Sequence, residues 1–209
     1  MKKVYLYLPD GVAEWEFAYI MMGMGMESTM KNGAKEFMVY TVGKTKDNII
    51  SHDGLTLVPD ITIEEMDDEN AVALLLPGSD KWQTDDNSLI LDKAEQYLKE
   101  NKLVAAICGA TLALADRGLL NDRLHTSNCL DYLLYCTRNY TGEKYFRQVN
   151  SCCDTNLITA NIAGGLMWAR DIMSMLHVYS DEAIEAWYMY YMSGNPDYYL
   201  RLMSYVGKC

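Results

Sequence analysis

The stretch Val104-Ala105-Ala106-Ile107-Cys108-Gly109-Ala110-Thr111 brings together the residue types that a nucleophilic thiol needs. Four small or β-branched apolar residues form a strand, a cysteine follows, and glycine and alanine let two backbones pass closely as a helix begins. This is the layout of a nucleophile elbow with Cys in the place of Ser. The turn lifts the side chain above the sheet, at a helix N-terminus whose dipole and free N–H groups favour a thiolate. The N–H groups of Gly109 and Ala110 can hold an oxyanion, and the neighbouring Gly78-Ser79 loop can add a donor. Free cysteines are mostly small buried hydrophobes. Context alone separates Cys108 from Cys129, Cys136, Cys152, Cys153 and Cys209.

A second group lies in Asp10-Gly11-Val12-Ala13-Glu14-Trp15-Glu16. Acidic residues in the first turn of a helix commonly do no more than suit its dipole. This segment, however, follows the first strand and so shares a rim with Cys108. A carboxyl group there can bond the thiol or move a proton, and the residues themselves leave Glu14 and Glu16 as alternatives. Of three histidines, His52 falls in a hairpin and His177 at a helix end. His125, in Leu124-His125-Thr126-Ser127-Asn128, is the one expected near the site.

The elements that must position these groups alternate between strand and helix. Buried strands are expected over 3–8 and 71–76, apolar runs stopped by a turn signal, over 103–107, which runs straight into a helix, and over 156–160. A β pattern covers 36–42, a hairpin about Asp53-Gly54 covers 48–58, and a short strand is expected over 124–127. Helices are predicted over about 13–31, 87–101, 109–117, 129–139 and 163–176, with a helical turn at 63–66. The alternation implies a mostly parallel sheet with helices on both faces. Ligand sites in such sheets lie beyond the carboxyl ends of the strands. Loops 9–16, 77–82, 108–111 and 161–165 all fall there. Two further helices, 181–192 and 196–206, are rich in Tyr and Trp; they are expected to pack on the main domain, with a dimer interface or a cap over the site as the other reading.

The chain has 209 residues, half of them hydrophobic, which suits one domain with a sizeable core. Its net charge of −11 (18 basic against 29 acidic residues) opposes binding to phosphate backbones, so no nucleic-acid partner is expected. No apolar run reaches the ~20 residues of a membrane span. The apolar start is short and closed by Pro9-Asp10-Gly11, unlike a signal peptide. No cysteine pair has zinc-site spacing. A cytoplasmic protein with free thiols and no metal follows as the expectation.

These motifs carry a resemblance. The chain is similar to the ThiJ/PfpI family of DJ-1 type, within the class I glutamine-amidotransferase-like superfamily, over about residues 1–177. The likeness rests on the first strand with Asp10 to Glu16, on Gly54 to Asp60, on Leu74-Leu75-Leu76-Pro77-Gly78, on Ala105 to Ala110, and on Ile158-Thr159-Ala160-Asn161. Ala106 to Asn128 resembles a bacterial branch labelled protease or amidotransferase-like. The resemblance implies an α/β flavodoxin-like three-layer sandwich, here with a C-terminal extension over about 180–209, and a homodimer. It implies that Cys108 is the elbow cysteine, that Glu16 is the carboxyl bonding it, that the Gly78 and Gly109 backbones are the oxyanion donors, and that His125 matches a histidine of related sequences. Two departures stand out. Gly109 replaces the histidine that follows the cysteine in PfpI-type proteases, and His177-Val178-Tyr179 lacks the late His-x-Glu pair of glutamine amidotransferases. The expectation is a thiol-dependent enzyme without cofactor, acting on a small carbonyl or amide substrate. A redox-sensing or chaperone-like stress protein and a binding module are the alternatives.

Overall fold

A computed structural model describes residues 1–84 and 86–208. Its centre is a seven-stranded sheet built from β1 (Lys2–Tyr7), β2 (Phe37–Gly43), β5 (Ile61–Thr62), β6 (Ala71–Leu76), β7 (Leu103–Ile107), β8 (Ser151–Asp154) and β9 (Leu157–Ala160). The strand order is β5-β2-β1-β6-β7-β9-β8, parallel throughout except for the β8–β9 edge pair. A separate antiparallel hairpin joins β3 (Ile49–Ile50) to β4 (Thr56–Leu57).

Each buried strand serves two cores, because successive side chains point to opposite faces. In β1, Val4 and Leu6 enter one core and Tyr5 and Tyr7 the other. In β7, Ala105 and Ile107 oppose Val104 and Ala106. The first core is closed by α1 (Glu14–Gly25), α6 (Gly165–Leu176) and α7 (Asp181–Ser193). The second is closed by α3 (Ser88–Lys99), α4 (Gly109–Asp116) and α5 (Leu130–Cys136). In α3, buried Ile90, Leu91, Ala94, Tyr97 and Leu98 repeat at helical spacing, which is why it lies flat on the sheet. The aromatic C-terminal helices, α7 and α8 (Pro196–Met203), pack on the domain: Trp187 and Leu202 are buried in the first core. The two covered faces are the three-layer sandwich expected from the sequence.

Three local expectations differ. The predicted helix over 13–31 breaks at Met26 into α1 and a single turn, α2 (Glu27–Met30). The break turns Glu27 inward, where its carboxylate accepts the N–H groups of Glu36 and Phe37 at 3.0 and 3.1 Å and anchors the start of β2. The stretch 124–127 is not a strand: it is extended but makes only a single bridge, His125 to Phe146, because its neighbour on that side is irregular chain. The edge strand β8 carries no apolar run, so nothing in Ser-Cys-Cys-Asp signals it.

Along one edge of the sheet, the loops after β1, β6, β7 and β9 sit side by side. Strand order reverses at β1, which has β2 on one side and β6 on the other. Ligand sites of open α/β sheets form at such a reversal.

Candidate thiol site

Cys108 joins β7 directly to α4 with φ +55° and ψ −121°. A side chain rarely adopts such a conformation, and holding one there costs on the order of 1–3 kcal/mol. The surroundings enforce it. The Cys108 N–H donates to Ala160 O at 3.0 Å, and its carbonyl accepts from the Thr111 N–H at 3.0 Å and hydroxyl at 2.6 Å. Gly109 follows because nothing larger fits: a Cβ there would lie 2.6 Å from Ser79 O.

Glu16, in the first turn of α1, is 1 % exposed. Its Oε2 accepts the Gly78 N–H at 2.6 Å. Its Oε1 is buried without a hydrogen-bond partner among the described residues, and the carboxyl interacts with the Cys108 thiol. The three groups converge on Gly78, where a Cβ would lie 2.7 and 2.9 Å from the two carboxyl oxygens and 3.0 Å from Cys108 Cβ. Burial pushes the Glu16 carboxyl up to about 7, against the pull of the Gly78 N–H and the thiol. Burial, then the Glu16 charge, pushes the Cys108 thiol up to about 12, while the Asn128 and Gly109 N–H groups act the other way. A neutral thiol beside a carboxyl that ionises near neutrality is the resting state these values describe. Glu14 is half-buried at the start of α1, and no contact joins it to the sulfur.

Of the two backbone groups expected to hold an oxyanion, Gly78 and Gly109, one has a partner in the fold. The Gly78 N–H is already committed to Glu16. The next amide of that loop, Ser79, makes no such bond among the described residues. The Cβ position of Gly109 lies 3.2 Å from the Ser79 nitrogen, so the two backbones pass closely there. Ser79 itself is pinned: its hydroxyl donates to Asp10 O at 2.5 Å and accepts the Lys81 N–H at 3.0 Å.

His125 is not brought to the sulfur. It is fully buried, with Nδ1 paired to Arg123 O at 2.7 Å and Nε2 to Tyr140 Oη at 2.8 Å, and burial lowers its pKa. Both ring nitrogens are thus engaged within the fold. The side chain this segment does offer is Asn128, whose Nδ2 donates to Cys108 Sγ at 3.5 Å. A search for acids and bases passes over an amide; its place on the rim, just before α5, is the signal that could have found it. Tyr132, on α5, also feels the charges of Cys108, Asp80 and Glu16, and burial pushes its phenol up to about 12. Cys129, Cys136, Cys152 and Cys153 are free, and Cys209 lies outside the described residues. Among the described residues no three His, Cys, Asp or Glu side chains gather as a metal site. Among the described residues no helix is long and apolar enough to cross a membrane.

Comparison with known proteins agrees with this geometry at the level of family. The model of the DJ-1/PfpI family matches residues 2–175. Two relatives from Bacillus subtilis are named uncharacterized proteases: YoaZ, 35% identical over 207 residues with 99% of each chain covered, and YdeA, 31% identical over 193 residues with 92% of this chain and 91% of the relative covered. A ThiJ/PfpI family protein from Bacillus anthracis superposes with a TM-score of 0.92 at 34% identity, covering 99% of this chain and 98% of that one. A DJ-1 superfamily protein from Agrobacterium tumefaciens superposes at 0.78 with 24% identity, covering 93% and 99%, and shares the fold.

Proposed function

This chain belongs to the DJ-1/PfpI family, and on that footing we propose that it is a thiol-dependent enzyme, needing no cofactor, that acts on a small carbonyl or amide substrate. The observation that carries the reading is the pairing of Cys108, strained on its elbow, with the buried carboxyl of Glu16. In the reaction, ionised Glu16 takes the thiol proton. The sulfur attacks the carbonyl carbon, an S–C bond forms, and the C=O π pair moves to oxygen, which the Ser79 and Gly109 N–H groups receive. With an amide, protonated Glu16 gives the proton to the nitrogen as the C–N bond breaks, and water then cleaves the S-acyl bond to release the acid and the free thiol; with an aldehyde it protonates the oxygen to give a hemithioacetal. The names of the Bacillus relatives favour a hydrolase. The absence of a histidine after Cys108, and His125's engagement elsewhere, weigh against a PfpI-type protease.

A panel of methylglyoxal, other small aldehydes and glutamine-type amides tests the reading. Saturable consumption of at least one, abolished by prior alkylation of Cys108, is expected; a panel left wholly unconsumed argues against it. The second reading, a peroxide sensor, is favoured by the carboxyl that can donate to an oxidised sulfur. It gains if the panel is untouched while two peroxide molecules convert the thiol to sulfinic acid and water. A homodimer fits the exposed apolar side chains Tyr191, Met192, Tyr199 and Leu200 on α7 and α8, and light scattering measures it directly.

A further inference from the structure

We propose that Asn128 is a catalytic residue of the thiol site, whose side-chain amide is locked with its NH2 towards Cys108 and supports the sulfur as thiolate. The inference rests on Cys108 being the reacting atom.

An asparagine amide has a donor end and an acceptor end, and in general either can face a neighbour. Here one neighbour decides. The backbone N–H of Ile162 can only donate, and it meets Asn128 Oδ1 at 2.8 Å. The oxygen is therefore fixed towards Ile162, which leaves Nδ2 facing the sulfur at 3.5 Å. The loop that carries Ile162 is itself held. The Asn161 N–H donates to Asn150 O at 3.1 Å, its Nδ2 to Asn150 Oδ1 at 3.1 Å, and its Oδ1 accepts the Ala163 N–H at 3.1 Å. Asn161 closes the Ile158 to Asn161 stretch, one of the family motifs, yet it touches no reacting group. Holding this loop gives it a task.

A donor N–H favours the charged form of the atom it faces. The titratable groups facing the sulfur are Glu16 on α1 and Tyr132 on α5, with Asp80 in the same electrostatic neighbourhood; none supplies a cation. Burial and Glu16 oppose the thiolate, so the amide and the Gly109 N–H are what favour it. Unlike an imidazole, an amide does this without titrating, so proton movement is left to Glu16.

Asn128→Asp separates the two ends of the side chain. It keeps size and the acceptor for Ile162 while replacing the donor with a carboxylate. The experiment follows iodoacetamide alkylation of Cys108 against pH, read by peptide mass spectrometry to distinguish the other cysteines. Asn128→Asp is expected to fold like the wild type and to slow labelling between pH 7 and 9 about tenfold, since well below the midpoint one pH unit is a factor of ten in thiolate. Asn128→Ala is expected to slow it by less. If Asn128→Asp does not fold, Asn128→Ala carries the test alone. An unchanged labelling rate in a folded variant overturns the proposal. The profile reads the sulfur and needs no substrate, so it can fail while turnover still depends on Cys108, or hold when turnover does not.

Discussion

A carboxyl group that is buried, unpaired with any cation and ionising near neutrality leaves a signature on stability. Glu16 is held at about 7 in the fold, against an ordinary value near 4.5. Because the folded value is raised, its contribution is fully present below about pH 4.5. It is lost as pH rises through about 7, where the buried carboxylate must exist uncompensated. Over that window the wild type should lose on the order of 3 kcal/mol relative to Glu16→Gln, at about 1.4 kcal/mol per unit. Glutamine keeps an oxygen for the Gly78 N–H, so the variant should fold. Thermal melts of both proteins at pH 5, 6, 7 and 8 check this: the melting-temperature difference should move steadily in favour of Glu16→Gln, and parallel curves would show that Glu16 does not titrate there.

The elements matter through the close approach of two loops. At Gly109 a methyl group would press on Ser79 O at 2.6 Å, and backbone cannot swing aside as a side-chain tip can. Gly109→Ala is therefore expected to destabilise the fold by about 1–3 kcal/mol, as overpacking does. It should also lower kcat about tenfold or more by displacing the Ser79 amide, roughly 1.4 kcal/mol of barrier. Denaturant titration and steady-state kinetics on the same preparation check both, and a stable variant with wild-type kcat would remove Ser79 from the oxyanion space. This scale also marks how far the sequence could be read. The buried strands β1, β6 and β7 were legible because each carries an apolar run of strand length, closed by a turn after β1 and β6 and by the helix start after β7. Cys108 was legible because strand, cysteine, glycine and helix are contiguous. Glu16 could be told from Glu14 only by resemblance, since both begin the same helix and only packing decides which turns inward. The Gly78-Ser79 loop was legible as a source of donors, but the contact of Asn128 with Cys108 is made between distant loops, which spacing along one chain does not encode. His125 drew notice as a titratable group, yet its ring is tied to Arg123 and Tyr140.

Across the whole molecule, the C-terminal helices are part of the core that carries the site. Trp187 is 1 % exposed and packs on Tyr19, beside Gly23 of α1, the helix that carries Glu16 in its first turn. Trp187→Ala should cost about 3–5 kcal/mol, the usual toll of emptying a buried aromatic site. A loss below about 1 kcal/mol by urea unfolding would mean that α7 rests on the domain without supporting it. Sheet reversal, elbow and carboxyl converge on one sulfur atom, that of Cys108, and on the proposal that it reacts. Its most direct test is turnover of the first substrate found in the panel by wild type, Cys108→Ala and Cys136→Ala, all confirmed folded. Cys108→Ala is expected to lose at least about a thousandfold in kcat/KM, roughly 4 kcal/mol of transition-state stabilisation, while Cys136→Ala keeps the wild-type rate. Wild-type turnover by Cys108→Ala would contradict that proposal.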